Sequence, residues 1–429
     1  GIPPPRFLRR LSLLLLALPV LAPTRAQETT LAHEYGRVIQ SAEVVGNLGP
    51  DAFGEQTNLY TGSTEFTVTD IELPGPGLVP VRLGRRYVVE NKIDADEQPI
   101  YPFADWQIDI PHVHGTFARQ TGWSSPPSGN RCSNVMLTEP PTVYYLGQPF
   151  SGADYWYGHH LYAPGAGEQE LLVYQQSSNP NQPASGGPYY WVTQDQWFFS
   201  CLSTLANGNG YSGQGFLAID PNGTRYTFDW MVPYRTQLLS KPLGMPPLRA
   251  TPSMPGTEDS KDLVPTAPGM AILPRDDVWI YPTRIEDRFG NFVAFTWYGA
   301  KLMQIAASDG RSITLTYDND VIASATDGTR TWNYQYDAAR DFLLSATRPD
   351  GSAWGYQMAD LVWLYPMTLE DRGCGGELLR DNAQTSHHAT ITHPSGATGM
   401  FTFRPTQHGR ASVPQICAPY LNQNNGTSY

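Results

Sequence analysis

The sequence predicts an all-β protein: stacked antiparallel β-hairpins forming a repeat sheet, preceded by an irregular β-rich region. Three observations predict it. With 40 Gly and 38 Pro, turns interrupt the chain too often for long helices. Ring side chains are plentiful (24 Tyr, 16 Phe, 11 Trp), whereas charged residues make up only 16%. Behind a series of turn glycines, apolar side chains recur at alternate positions, the period of a half-buried strand.

The N-terminus comes first. Arg6, Arg9 and Arg10 precede the apolar run Leu11–Ala22, and Thr24 and Ala26 then stand at the −3 and −1 positions of a cleavage site. That order is the one a secretory leader needs, so residues 1–26 are expected to be a signal peptide. The run is shorter than the roughly 20 apolar residues that cross a bilayer, and no later segment is apolar enough to do so. A secreted or cell-surface location is therefore expected, without a transmembrane segment. The net charge of −12 provides no basic face, which argues against nucleic acid as a partner.

Four cysteines, Cys132, Cys201, Cys374 and Cys417, suit an oxidising compartment. Their wide spacing excludes a CxxC zinc or redox motif. Three pairings are open. The preferred pairing joins Cys132 to Cys201 and Cys374 to Cys417, because each bond then closes a loop within one region.

Residues 27–90 contain an entry segment in which Phe66 and Val68 alternate, as do Val79, Val81 and Leu83. The turn "PGPG" lies between, which predicts two strands and a tight connection. Residues 91–280 hold short aromatic strands separated by Ser, Asn, Gly, Pro and Gln clusters. Within them, 248–269 is Pro-rich and lacks any period, and it reads as a surface loop or linker.

Residues 281–403 carry the repeats. Counting each turn glycine as zero, Gly310 has Ile313, Leu315 and Tyr317 at +3, +5 and +7. Gly351 has Trp354, Tyr356 and Met358 there, and Gly290 has Val293, Phe295 and Trp297. Gly328 has Trp332, Tyr334 and Tyr336, shifted by one, and Gly396 has Phe401 and Phe403 at +5 and +7. Gly223, an earlier outlier, has Tyr226, Phe228 and Trp230. Asp309, Asp327 and Asp350 precede their glycines, as tight hairpin turns favour. A period of two puts each triplet on one face of its strand and Thr, Ser, Asn or Gln on the other. A lone hairpin is marginal in water, so the units must stack side by side to bury their rings. Residues 404–429 form a tail.

The units "DGRSITLTYDNDVIASATDGTRTWNYQYD" and "FLLSATRPDGSAWGYQM" resemble the YD repeats of RHS-type proteins, and "FGEQTNLYTGSTEFTVTDIELPGPGLVPVRLGRRY" is similar to the segment that precedes such repeats. The resemblance covers about 45–100 and 281–403. It implies a sheet wound into a shell that, in many members, encloses a C-terminal toxin. The implied role is that of a scaffold, with no catalytic residue and no cofactor. The partners implied are a C-terminal effector or further repeats of the same protein. Only Tyr317-Asp318 and Tyr336-Asp337 keep the literal pair and the units are few, so a truncated member or the leading portion of a larger assembly is expected.

Several chemistry-bearing groups compete with this reading. His112 and His114 fall on one strand face, the placement of a metal pair, and His387, His388 and His393 form a second group. Nothing in the sequence converges the three or four ligands a site needs, so no metal is expected. Glu286 and Asp287 are the best remaining carboxylate pair for glycoside hydrolysis, but strand neighbours point to opposite faces. No G-x-S-x-G motif occurs. The aromatic patches 153–162 and 189–198 admit a second function class, a carbohydrate-binding or adhesive module recognising surface polysaccharide, although rings at strand spacing usually belong to a core.

Overall fold

The computed structural model describes residues 29–30, 52–57, 64–89, 99–123, 130–135, 139–174, 179–242, 270–363, 367–368, 380–381 and 386–404. The expected leader at 1–26, the Pro-rich stretch 248–269, Cys374, Cys417 and all but the first residue of the tail lie outside them. Strands dominate. Among the described residues the helices are one α-turn at Gly152–Tyr155 and one 3-10 segment at Ala359–Trp363. No helix there is long and apolar enough to cross a membrane.

The architecture grows from one long antiparallel hairpin, Arg225–Pro242 with Met270–Glu286, paired from Arg225↔Glu286 to Pro242↔Met270 with three register shifts. Alternation makes it two-faced. Val278 and Ile280 pack into one core, while Trp279 and Tyr281 pack into another on the opposite side. The hairpin runs through position 280, so the change of texture seen in the sequence falls inside a strand.

On one side the hairpin closes a barrel. Arg225–Pro242 continues through Gly215–Ile219, Phe198–Leu202, Trp191–Val192 and Leu172–Val173. From the other edge, Met270–Glu286 continues through His112–Ala118, His160–Ala163 and Gly167–Glu170. Gly167–Glu170 passes through Leu171 directly into Leu172–Val173, so the two arms meet and the ring is complete. The interior holds Val113, Phe117, Trp123, Leu161, Trp191, Phe199, Phe216, Phe228, Met231, Val278 and Ile280. Cys132 and Cys201 are bonded, the pairing preferred above, with Cα atoms 5.6 Å apart. This disulfide fits an oxidising environment. Beside it, the buried Arg131 guanidinium donates to the carbonyls of Trp123, Ser212 and Gln214. Of the triplet behind Gly223, Phe228 lies in the barrel core, whereas Trp230 stacks on Trp297 of the array.

On the other side the hairpin starts the array. Arg284–Glu286 pairs with Phe292–Tyr298. Lys301–Ala307, Ser312–Asp318, Val321–Thr326, Thr331–Tyr336, Leu343–Thr347 and Ala353–Gln357 then follow, each antiparallel to the last. His387–Thr392 and Thr398–Phe403 complete the described sheet. It is the stacked-hairpin sheet the sequence predicts. Phe295, Trp297, Trp332, Tyr334, Trp354 and Tyr356 are buried on one face, and Tyr317, Tyr336, Phe401 and Phe403 are half-buried there.

A second, smaller sheet lies across that face. It consists of Glu55–Thr57, Thr64–Leu73, Val81–Val89 and Gln107–Ile108. Its middle strands are the two expected in the entry segment. Phe66, Val68, Val81, Leu83 and Tyr87 share a core with the array's rings.

The turns show why glycine recurs. At Gly328 φ is +91° and no atom lies where a Cβ would sit, so backbone conformation alone demands glycine. We predict that Gly328→Ala lowers stability by about 1–2 kcal/mol. Urea unfolding would read this as a lower midpoint with an unchanged slope, and an unchanged midpoint would remove the backbone argument.

Candidate functional site: the covered ring face and the charged seam

Three successive array units carry a device beyond the alternation. The register shifts immediately before the +7 residue in three strands, at Thr296/Trp297, Thr316/Tyr317 and Gln335/Tyr336. Each such bulge re-aims the ring that follows it. Trp297 Nε1 donates to the Pro282 carbonyl at 3.1 Å, Tyr317 Oη to Leu302 at 3.0 Å and Tyr336 Oη to Ile322 at 2.6 Å. In each case the ring reaches back to the preceding strand. A ring with a polar tip is therefore required where Phe would leave that carbonyl without this donor. Met358 occupies the position in the next unit, where the strand order is interrupted.

The turn carboxylates are spent on their own backbone. Asp327 accepts from the Arg330 and Thr329 N–H groups, which hold it below the usual carboxylate range. Asp350 accepts from Ser352 N and Oγ, and Asp309 from Arg311 N. Of the pair weighed for hydrolysis, Glu286 takes the exposed Arg284 guanidinium. Asp287 accepts from Phe289 N and Asn291 N, and its other oxygen takes Leu78 N of the entry segment at 3.1 Å. Asp287 thus ties the entry segment to the array.

Two adjacent arginines explain how the small sheet is held. On Val81–Val89, Arg85 faces the array and Arg86 faces the barrel, as strand alternation requires. Arg85 makes a two-pronged pair with Asp70, Nε–Oδ2 2.6 Å and NH2–Oδ1 2.9 Å. Both side chains are buried. Asp70 also accepts from Tyr334 Oη at 2.9 Å. The guanidinium carbon lies 5.1 Å from the Tyr356 ring centroid and 5.3 Å from that of Trp106, close enough for cation–π attraction. Burial opposes the charge on Arg85, but Asp70 together with Tyr356 and Tyr334 outweighs it and holds the pKa above the ordinary value. The register shift between Thr69 and Ile71 makes Asp70 the extra residue of a bulge, so that Asp70 and Ile71 both serve the array side.

On the other face Arg86 bonds Glu65 at 2.6 Å, stands over the Tyr162 ring at 4.0 Å and reaches Glu168 at 3.4 Å. The sequence-predicted histidine pair lies here. His112 and His114 share a face, with ring centroids 5.3 Å apart. His114 Nε2 bonds Glu168 at 2.7 Å, and His112 stacks on Trp279 at 4.0 Å with Nδ1 at 3.0 Å from the Ile110 carbonyl. His160 of the neighbouring strand lies 5.7 Å from His114. Among the described residues no group of three or more His, Cys, Asp or Glu is arranged to hold a metal ion. His387 instead faces Asp360, and His393 bonds Ser395. The pair belongs to a polar seam between barrel and entry sheet.

The rings of the two aromatic patches are divided among several buried clusters: Trp191 and Trp197 lie in the barrel core, Tyr155 packs with Phe150 and Leu273, Tyr189 with Phe198 and Ile219, and Tyr162 lies under Arg86 in the seam. Tyr155, Tyr162, Trp191 and Trp197 are buried, and Trp156, Tyr157 and Tyr190 are half-buried. Sequence reasoning missed Asp70, Arg85, Arg86, Glu65, His160 and Glu168. The consecutive arginines between a Val-Pro-Val strand and Tyr87 were a usable signal for two opposite faces. The partners were not legible, because Asp70 depends on a bulge and Glu168 on barrel closure.

No protein-family model matches the chain, and no curated protein matches it.

We predict that Asp70→Ala, which strands the Arg85 charge in the core, destabilises the protein by about 3–5 kcal/mol. The pair Asp70→Leu with Arg85→Met should recover most of that loss in the same denaturation measurement. Equal loss in both variants would mean that packing alone, with no charge penalty, sets the effect.

Proposed function

We propose that this chain is a non-enzymatic, secreted or cell-surface scaffold of the RHS or YD-repeat type. Its array forms a stretch of shell wall in a system that houses or presents a C-terminal effector in contact or competition between cells. The observation that carries the reading is the succession of antiparallel strands from Phe292 to Gln357, each paired with the last, with the same back-reaching ring in three successive units. A sheet built from one repeated rule is an extendable wall. Thr398–Phe403 pairs with His387–Thr392 along one edge, and among the described residues no strand pairs with its other edge. Further repeats fit there. The oxidising environment indicated by Cys132–Cys201 agrees with export. The carbohydrate-binding alternative has less support, since the patches that suggested it contribute most of their rings to cores.

The test uses the product of the complete reading frame in its native host. Cell fractionation with N-terminal sequencing should find it outside the cytoplasm, beginning near Gln27. Negative-stain imaging of the purified product should show a curved wall around an enclosed volume. Retention in the cytosol, or a solid particle with no enclosed volume, would overturn the proposal.

A further inference from the structure

The seam between barrel and entry sheet gathers several titratable groups that the scaffold reading does not require. His112 and His114 come from one barrel strand, His160 and Tyr162 from the next, and Glu168 from a third. The entry sheet places Arg86, Glu65 and Arg82 against them, and Asp109 follows the Gln107–Ile108 strand. Tyr162 Oη donates to Asp109 at 2.6 Å, and Arg82 pairs with Asp109 at 2.7 Å. From the long hairpin, Asp277 bonds Thr116, and Tyr281 lies 5.5 Å from the His112 ring. Tyr157 lies 5.4 Å from His160, and Glu170 approaches the same ring beside Gly158. His112 and His160 are buried, and His112 Nε2 and His160 Nδ1 meet no hydrogen-bond partner among the described residues.

One carboxylate, Glu168, thus serves His114 and Arg86 together and stands near two further imidazoles. A fixed cation is already present. Glu168 and Asp277 favour a proton on these rings, but burial and the neighbouring His114 oppose it more strongly, so charge added to the seam is poorly accommodated. We propose that this seam is an acid-operated latch: protonation of His112 and His160 puts charge into a buried seam on either side of His114 and parts the barrel from the entry sheet, while the array stays folded.

The direction of the response follows from linkage. Burial, then His114, lowers the His112 pKa well below its ordinary value. The same two causes lower His160 to about 4. Burial opposes ionisation of Glu168, but His114 and Arg86 hold its carboxyl below the usual range. A histidine depressed in the folded state contributes stability that is complete above about pH 6.5 and is lost as pH falls toward the folded pKa. Glu170, whose carboxyl is raised by burial, acts in the opposite sense at lower pH. His159 points into the barrel core against Trp123, and burial lowers it to about 3, so it adds acid sensitivity on the barrel side alone.

The test is hydrogen exchange on the full chain at pH 7.5 and pH 5, corrected for the intrinsic exchange rate. Array strands Ser312–Asp318, Val321–Thr326 and Thr331–Tyr336 carry no histidine and serve as the internal reference. Peptides covering Val81–Val89, His112–Ala118 and His160–Glu170 should open about 30-fold more readily at pH 5 for each depressed histidine released. The reference strands should not change. Tryptophan emission gives a second readout, because an imidazolium stacked on Trp279 quenches it where a neutral ring does not. A variant carrying His112→Gln and His160→Gln, with His159 retained and folding checked at pH 7.5, should lose most of the extra opening. Seam and array peptides opening together at one pH would overturn the latch, as would a wild-type seam that exchanges equally at both pH values.

Discussion

A row of aromatic rings along one face of an open sheet is stable only if something covers it. This requirement governs the whole molecule. Each buried ring contributes about 2–3 kcal/mol relative to an exposed one, so the array's face is a large apolar surface that cannot be left to water. The chain covers it with its own earlier segment. The sheet built on Thr64–Leu73 and Val81–Val89 lies across the rings, and Asp105 and Pro102 bond to Leu343 and Ile322 at the heart of the array. The array and the segment preceding it are therefore one folding problem.

The cover is joined to the array by polar groups as well as by rings. Arg85 and Asp70 bury opposite charges under Tyr334, Tyr356 and Trp106. A pair of this kind adds little net stability compared with a well-packed apolar substitute. It specifies position instead: a sheet displaced by one strand spacing would separate Arg85 from Asp70 and Tyr334. The Tyr and Trp tips that reach back across the array act similarly, setting the stagger of each hairpin on the last. Apolar burial drives association here, and directional bonds select one alignment.

The long hairpin performs a second act of coupling. Because Val278 and Ile280 face the barrel while Trp279 and Tyr281 face the array's core, a single strand is a wall of both compartments. Arg85 and Arg86 repeat this arrangement one layer away. The molecule is thus layered as barrel, entry sheet and array. Its two internal boundaries differ in chemistry: rings and one closed ion pair on the array side, histidines and shared carboxylates on the barrel side. Among the described residues, the second gathers His112, His114 and His160 beside Glu168.

The sequence alone determined the class of the fold, the hairpin array and the identity of its buried face. These rest on local rules: glycine where φ must be positive, as at Gly310 and Gly328, and alternation thereafter, as along Trp332, Tyr334 and Tyr336. The entry strands were legible for the same reason. Their contacts were not. That Asp70 meets Arg85 depends on one bulge, that His114 meets Glu168 depends on three strands coming together in the barrel, and that Trp191 is core depends on the closure of that barrel. Strands as short as Trp191–Val192 and Leu172–Val173 carry too few residues to display a period. Their partners lie far away in sequence, so only the tertiary structure decided what they bury. Local periodicity sets which face of a strand is apolar, and long-range pairing alone sets what covers it.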